Sequence, residues 1–206
     1  VVLDNSVHIG PHCHLEGPVY LGPGTRVKAG TRIYGPSSFG IGNRLSGEIG
    51  ETTTGDFVNK QHDGFLGHAY LGAWVNLGAD TNNSNLKNNY AEVKVWDYVV
   101  QRFLNTGLKF CGLIMGDHSK CGINTMFNTA TVVGVNANIY GFGFQKKFIP
   151  SFTWGGITEF TTYSLDKALE VAGKVMKRRI ECVPGDGCKK ERVKKHGPGR
   201  IAVHAL

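Results

Sequence analysis

A six-residue rhythm constrains this chain more than anything else in it. Reading every sixth residue from Leu3 gives Leu3, Ile9, Leu15, Leu21, Val27, Ile33, Phe39 and Leu45, all apolar. Four places after each stand Val7, Cys13, Val19, Thr25, Thr31, Ser37, Asn43 and Ile49, mostly small or β-branched. A second block holds Phe65, Leu71 and Leu77. A third holds Met115, Cys121, Phe127, Val133 and Ile139, followed four places on by Ser119, Thr125, Thr131, Ala137 and Gly143. A short strand and a tight turn make one flat face, and three such faces make a triangular coil of about eighteen residues. The apolar residue points inward, and its small partner fits the corner, where space is short. Glycine, at 29 of 206 residues, supplies turn conformations that other residues resist. Each coil covers the next, so the faces merge into one core.

The rhythm breaks twice. Residues 51–64 shift the phase between the first two blocks and are expected to be an insertion. Residues 82–114 form a longer one, beginning with the polar run Asn82 to Asn89. Within it Val93 to Trp96 and Phe110 to Ile114 have strand character, and further imperfect coils are expected there. Long corner insertions are where repeat proteins place binding loops. The solenoid is expected to occupy residues 1–150, with a C-terminal extension at 151–183. In that extension Ser164 could cap a helix over 164–180, with Leu165, Ala168, Leu169, Ala172 and Val175 or Met176 on one face. Such a helix is expected to cover the open end of the solenoid and protect its strand edges. Residues 184–206 are basic and unpatterned, and are expected to be a disordered tail.

The formal net charge is +7. Between Lys174 and Arg200 stand ten basic and three acidic residues, so the rest of the chain sums to zero. Charge confined to a tail argues against a nucleic-acid-binding face. No apolar run approaches the length of a membrane-spanning helix. Residues 1–11 lack the basic start and apolar stretch of a secretory leader. The first residues already sit inside a repeat, so the chain is expected to be a piece of a longer protein. The five cysteines, Cys13, Cys111, Cys121, Cys182 and Cys188, have no zinc-ribbon spacing. Reduced thiols in a cytoplasmic protein, with Cys121 in the core, are the expectation.

From His62 the chain reads His-Asp-Gly-Phe-Leu-Gly-His-Ala-Tyr-Leu-Gly, then Asn76-Leu-Gly-Ala-Asp-Thr81, then Asn85. These residues resemble the acetyltransferase domain of the family of bifunctional glucosamine-1-phosphate acetyltransferases and N-acetylglucosamine-1-phosphate uridylyltransferases. The likeness covers roughly Val1 to Tyr140. It is closest to a nucleotidyltransferase-like bacterial branch carrying motifs like Asn59 to Gly67 and Cys111 to Gly122. The resemblance implies an all-β, left-handed parallel β-helix that works as a homotrimer. It also implies acetyl transfer from acetyl-CoA, used as a substrate, to the amine of an amino-sugar phosphate. Carried over residue by residue, it makes His62 the general base, a task that suits an imidazole. Arg32, Glu48, Asn76 and Asn85 become acceptor-binding residues, and Ala79 and Gly141 line the coenzyme A groove. No bound metal is implied.

The departures from the pattern fall on the acceptor pocket. Gly50 and Ala91 stand where the family has phosphate-binding lysines, Phe65 replaces a tyrosine, and Ile123 replaces a serine near coenzyme A. Losing two cations aimed at a dianion weakens phosphate recognition. A different amino-sugar acceptor would account for this. The alternative is a non-catalytic β-helix that trimerises or regulates a sugar-1-phosphate nucleotidyltransferase. The nucleotidyltransferase fingerprint itself, a Gly-rich phosphate loop followed by lysine, is not found in these residues. A β-helical zinc carbonic anhydrase is disfavoured, because His62 and His68 lack that family's spacing.

Overall fold

The computed structural model describes residues 1–180. The expected tail at 184–206, together with Cys182 and Cys188, lies outside the described residues. The chain forms a left-handed β-helix of stacked coils with three faces. The first face is an eight-stranded parallel sheet, and its inward residues run Leu3, Leu21, Phe39, Thr54, Leu71, Met115, Val133 and Ile149. The second face carries Ile9, Val27, Leu45 and Lys60, and resumes at Cys121, Ile139 and Gly155. Single bridges from Asn59 to Asn76 and from Asn76 to Lys120 join its two halves. The third face carries Leu15, Ile33, Ile49 and Leu66, then Asn83 and Phe127.

The hexad residues behave as their spacing requires. Leu21, Ile33 and Phe39 have no solvent exposure, and Val27 and Leu45 have 1%. Leu3 at 49% exposure belongs to the first coil, which has a neighbour on one side only. The small partners are buried at the corners and satisfy the carbonyls of the turns. Thr31 Oγ1 donates to Lys28 O and Ser37 Oγ to Tyr34 O, while Asn43 Nδ2 donates to Gly40 O and its Oδ1 accepts from Val58 N. Burying these groups unpaired would cost about 1–3 kcal/mol each.

The expected insertion at 51–64 is instead part of the solenoid, because the coil shortens. Ile49 follows Leu45 after four residues and Thr54 follows Ile49 after five, and strands Thr53–Thr54 and Asn59–Lys60 stay in register. Inward on the third face is therefore Leu66, with Phe65 facing out. The second insertion begins later than expected, since Asn82–Asn83 still pairs with Met126–Phe127. It contains an antiparallel hairpin, Lys94–Asp97 with Arg102–Asn105, rather than further coils. Trp96 anchors the hairpin by stacking on Phe148 at 4.1 Å. The solenoid also runs past residue 150, through strands Phe148–Ile149 and Thr153–Gly155.

The helix, α1, spans Leu165–Ile180. It does not cover the open end. Tyr163 N, just before it, donates to Phe152 O, and Arg179 near its end donates to Gly42 O. Both acceptors sit on the corner between the first and second faces, where Gly42, Phe57, Trp74, His118, Asn136 and Phe152 occupy successive coils, all at positive φ. Five steps of about 4.8 Å and sixteen rises of about 1.5 Å both give about 24 Å, so the helix runs alongside this corner. Ala168 and Ala172 are buried and Val175 and Met176 half-buried, while Leu165 and Leu169 stay exposed. A face of alanines lets a helix approach closely. Phe39→Ala should cost about 3–5 kcal/mol in chemical denaturation, against under about 1 kcal/mol for Tyr20→Phe on the neighbouring strand. A small loss for Phe39→Ala would contradict its place in the core.

Candidate functional site

The shortened coil makes a notch at the corner between the second and third faces. Gly47 has φ 86° and Gly64 φ 115°, both left-handed conformations that favour glycine. A Cβ on Gly64 would meet Thr81 O at 2.2 Å, and one on Gly47 would meet Gly64 O at 2.6 Å. The corner is drawn in there, leaving a cavity of about 540 Å³ lined by Ala29, Gly30, Arg32, Gly47, Glu48, Asp63, Gly64 and Phe65. Arg32 and Glu48 face outward on neighbouring strands and form an ion pair at 2.9 Å. Arg32 is therefore already partnered, by the glutamate expected to bind the same ligand. Both ends of the pair are substantially exposed, so its contribution to stability is small.

His62 stands on this corner, one residue before Asp63. It is exposed, and its imidazole has no hydrogen-bond partner among the described residues. Its neighbours open onto different spaces. Asp63 lines the notch, and Gln61 lines a second cavity of about 320 Å³ on the second face.

The turn beneath His62 is held from inside by Lys60, which the hexad pattern did not reveal. Lys60 occupies an inward position paired with Leu45 and is 1% exposed. Its ammonium donates to His62 O at 2.9 Å and to Ser46 O at 3.1 Å. Those carbonyls flank the shortened corner, and the amine of Lys60 fills the space beneath it. Burial pushes this amine down to about 8, against the opposing pull of Asp63 and Asp80. Once the shortening is recognised, two residues before Ile49 and one before Thr54, counting six on from Thr54 does identify Lys60.

The remaining expected site residues lie elsewhere. Asn76 is on the second face, where its Oδ1 accepts from Asn59 Nδ2 at 2.6 Å. Asn85 lies at the corner between the third and first faces, bonded through Nδ2 to His68 Nδ1 at 3.0 Å. His68 also approaches Glu51 Oε2 at 3.5 Å and stacks on Phe110 at 4.9 Å. Asn82 and Asn83 act as backbone substitutes, their Oδ1 atoms accepting from Phe65 N and Gly67 N. Ala79 and Gly141 lie near the His62 corner in later coils. Ala79 O accepts from Asn124 N, and a Cβ on Gly141 would meet open space. Within this chain Arg32, Glu48 and His62 are thus brought to one corner, and Asn76 and Asn85 are not.

His118 stands at a corner, as its place in Gly116-Asp117-His118-Ser119 suggests. It is 7% exposed, with its ring 6.0 Å from that of Trp74 and its Nδ1 without a hydrogen-bond partner among the described residues. Burial, with Lys120 nearby, holds its pKa below the usual histidine range. Among the described residues no group of three or more His, Cys, Asp or Glu could hold a metal ion. No helix among the described residues is long and apolar enough to cross a membrane.

The fold is thus that of a hexapeptide-repeat left-handed β-helix. In sequence the chain is homologous, over about two thirds of its length, to the bifunctional protein GlmU. It is 30% identical over 136 residues to GlmU of Acaryochloris marina, which is 66% of this chain and 22% of that protein. It is 28% identical over 154 residues to GlmU of Synechococcus elongatus, or 73% and 26% of the two lengths. The chain therefore spans about a quarter of the relatives it matches. No protein-family model matches it. Similar solved structures include a hexapeptide transferase family protein from Anaplasma phagocytophilum, with TM-score 0.46, 12% identity and coverage of 85% of this chain and 87% of that one. The acetyltransferase domain of PglB from Neisseria gonorrhoeae gives TM-score 0.46 and 15% identity over 76% and 57% of the two chains.

The buried Lys60 gives a pH signature. The unfolded chain, with its lysine near 10.5, binds this proton more tightly than the folded chain does. Relative to Lys60→Met, the wild type should therefore gain about 3 kcal/mol of stability as pH rises from about 7 to about 10.5. Denaturant titrations of both proteins at several pH values check this, and parallel curves would contradict it.

Proposed function

We propose that this chain is an acyl-CoA-dependent acyltransferase acting on the amine of a sugar, with His62 as general base. The observation that carries the reading is the His62 corner itself. An exposed imidazole without a partner among the described residues stands beside the Arg32–Glu48 notch, on a turn fixed from within by Lys60. The sequence relationship to GlmU supports the same class.

In the proposed reaction the amine nitrogen attacks the thioester carbonyl while His62 takes a proton from that nitrogen. The new C–N bond forms, the C–S bond breaks, and the imidazolium returns the proton to the leaving thiolate. A sugar phosphate resembling glucosamine-1-phosphate is the proposed acceptor, with acetyl-CoA as donor and Ala79 and Gly141 along the donor's path. Among the described residues the notch has no free cation, because Arg32 is paired and Gly50 has no side chain, so acceptor contacts differ from those of the family pattern. We place the protein in the cytoplasm as a homotrimer. The exposed Ile123, Met126, Tyr140, Phe142 and Phe144 around the second corner and third face support contact between copies.

The paired Arg32 also favours a second reading, a trimerising or regulatory β-helix without chemistry of its own. Coenzyme A release from acetyl-CoA, with a panel of amino sugars and amino-sugar phosphates, separates the two. Turnover should fall by about 10²–10⁴-fold in His62→Ala. Turnover unchanged in that variant would remove His62 as base, and none with any acceptor would favour the second reading.

A further inference from the structure

The notch beside His62 carries an unbalanced charge. At about 540 Å³ it has the size of a small-ligand site, and its lining sets two carboxylates, Glu48 and Asp63, against one guanidinium, Arg32. Glu48 pairs with Arg32 at 2.9 Å, so each offsets the other. Asp63 is left over. Its main-chain oxygen accepts from Asp80 N at 3.1 Å, which pins the turn, while its exposed carboxylate has no hydrogen-bond partner among the described residues. The buried Lys60 beneath the corner does not restore the balance, because Asp63 and Asp80 both act on it and its ammonium donates to His62 O and Ser46 O. Phe65 completes the wall. It faces outward on the third face, and the edge of its ring stands where a Cβ on Gly67 would be, with Asn85 Nδ2 2.8 Å from the same point. A ring held against glycine backbone, a carboxylate without a hydrogen-bond partner and a paired arginine thus line one concave space.

We propose that the notch receives the ammonium-bearing part of an amino sugar, held by Asp63, Glu48 and the Phe65 ring, and excludes a phosphate. An ammonium is drawn to a carboxylate and to the face of an aromatic ring. A phosphate dianion would instead meet a net negative charge and, among the described residues, no free cation. Arg32 and Glu48 offer partners to the sugar hydroxyls. His62 precedes Asp63 in the chain, so an ammonium on Asp63 is bound next to the imidazole. A phosphate on the same sugar then lies outside the notch, where the lysine and tyrosine replaced by Gly50 and Phe65 are not needed. The catalytic meaning of this site rests on the acyltransfer reading, whereas the ammonium site itself does not.

The test is ligand-observed NMR titration of glucosamine, glucose and glucose-1-phosphate against the full chain at neutral pH, without acyl-CoA. Glucosamine should bind about fivefold or more tightly than either of the others. Asp63→Asn should weaken glucosamine by a similar factor and leave glucose unchanged. Glu48→Gln should invert the preference, because Arg32, released from its partner, is then free to bind glucose-1-phosphate. Phe65→Leu serves as a further variant should Glu48→Gln not fold, with weaker glucosamine binding expected. Arg102→Gln, on the hairpin, should bind as the wild type does. Equal glucosamine binding by wild type, Asp63→Asn and Phe65→Leu would overturn the proposal. So would no glucosamine binding, or glucose-1-phosphate binding the wild type more tightly than glucosamine does. Displacement of glucosamine by a tighter-binding magnesium ion would also overturn it, making the notch a metal-ion site. Glucosamine binding that depends on Asp63, with no acyl transfer to any acceptor, would leave the ammonium site standing and remove the catalytic reading. Acyl transfer with glucosamine bound alike by wild type and Asp63→Asn would do the reverse.

Discussion

Coil-on-coil hydrogen bonding sets the terms for everything else in this molecule. Each strand is only two or three residues long in most coils, too short to hold itself. It persists because the strands above and below bond to it and because its inward residue is packed from both sides. One inward position per face must therefore be filled in every coil. Leu21, Phe39, Leu71, Met115, Val133 and Ile149 do this on the first face. The consequence is a molecule in which a change of coil length appears as a local change of shape, not as a change of fold.

The functional corner follows from such a change. Two residues fewer between Leu45 and Ile49 draw the wall inward and leave a notch between Ala29–Gly30 and Asp63–Gly64. They also leave two carbonyls needing a donor, and Lys60 supplies it. A cation is tolerated in the core because its hydrogen bonds and two nearby carboxylates offset part of the desolvation cost. The device that permits the shorter coil is also the one that fixes the turn carrying His62. On the adjacent corner a helix does comparable work from outside, lying along the Phe57–Trp74–His118 column and bringing Arg179 to Arg26 and Arg44.

The hexad rhythm and the motif around His62 were both visible in the residues. The phase shift at 51–64 was visible too, but a shortened coil and an insertion look alike when only periodicity is read. The polar residues in inward positions, Lys60, Asn83 and Gln145, hid the continuing register, because a search for apolar residues passes over them. The asparagine run had two legible meanings, ligand contact or backbone satisfaction. For Asn82 and Asn83 the structure shows the second, since their amides complete ladder positions between coils.

By itself the sequence determined the repeat, the three-faced coil, the terminal helix and the position of His62 at a turn. These depend on local spacing, and a period of six repeated along a chain leaves few ways to bury its apolar residues. The tertiary structure alone decided that Arg32 is paired with Glu48, that Lys60 braces the His62 turn, and that α1 lies along a flank instead of across an end. It also decided that Arg179, near the end of the helix, reaches back to Gly42 O on an early coil. These are contacts between coils or between the helix and the coils, so they depend on stacking register and helix direction, which no local spacing encodes.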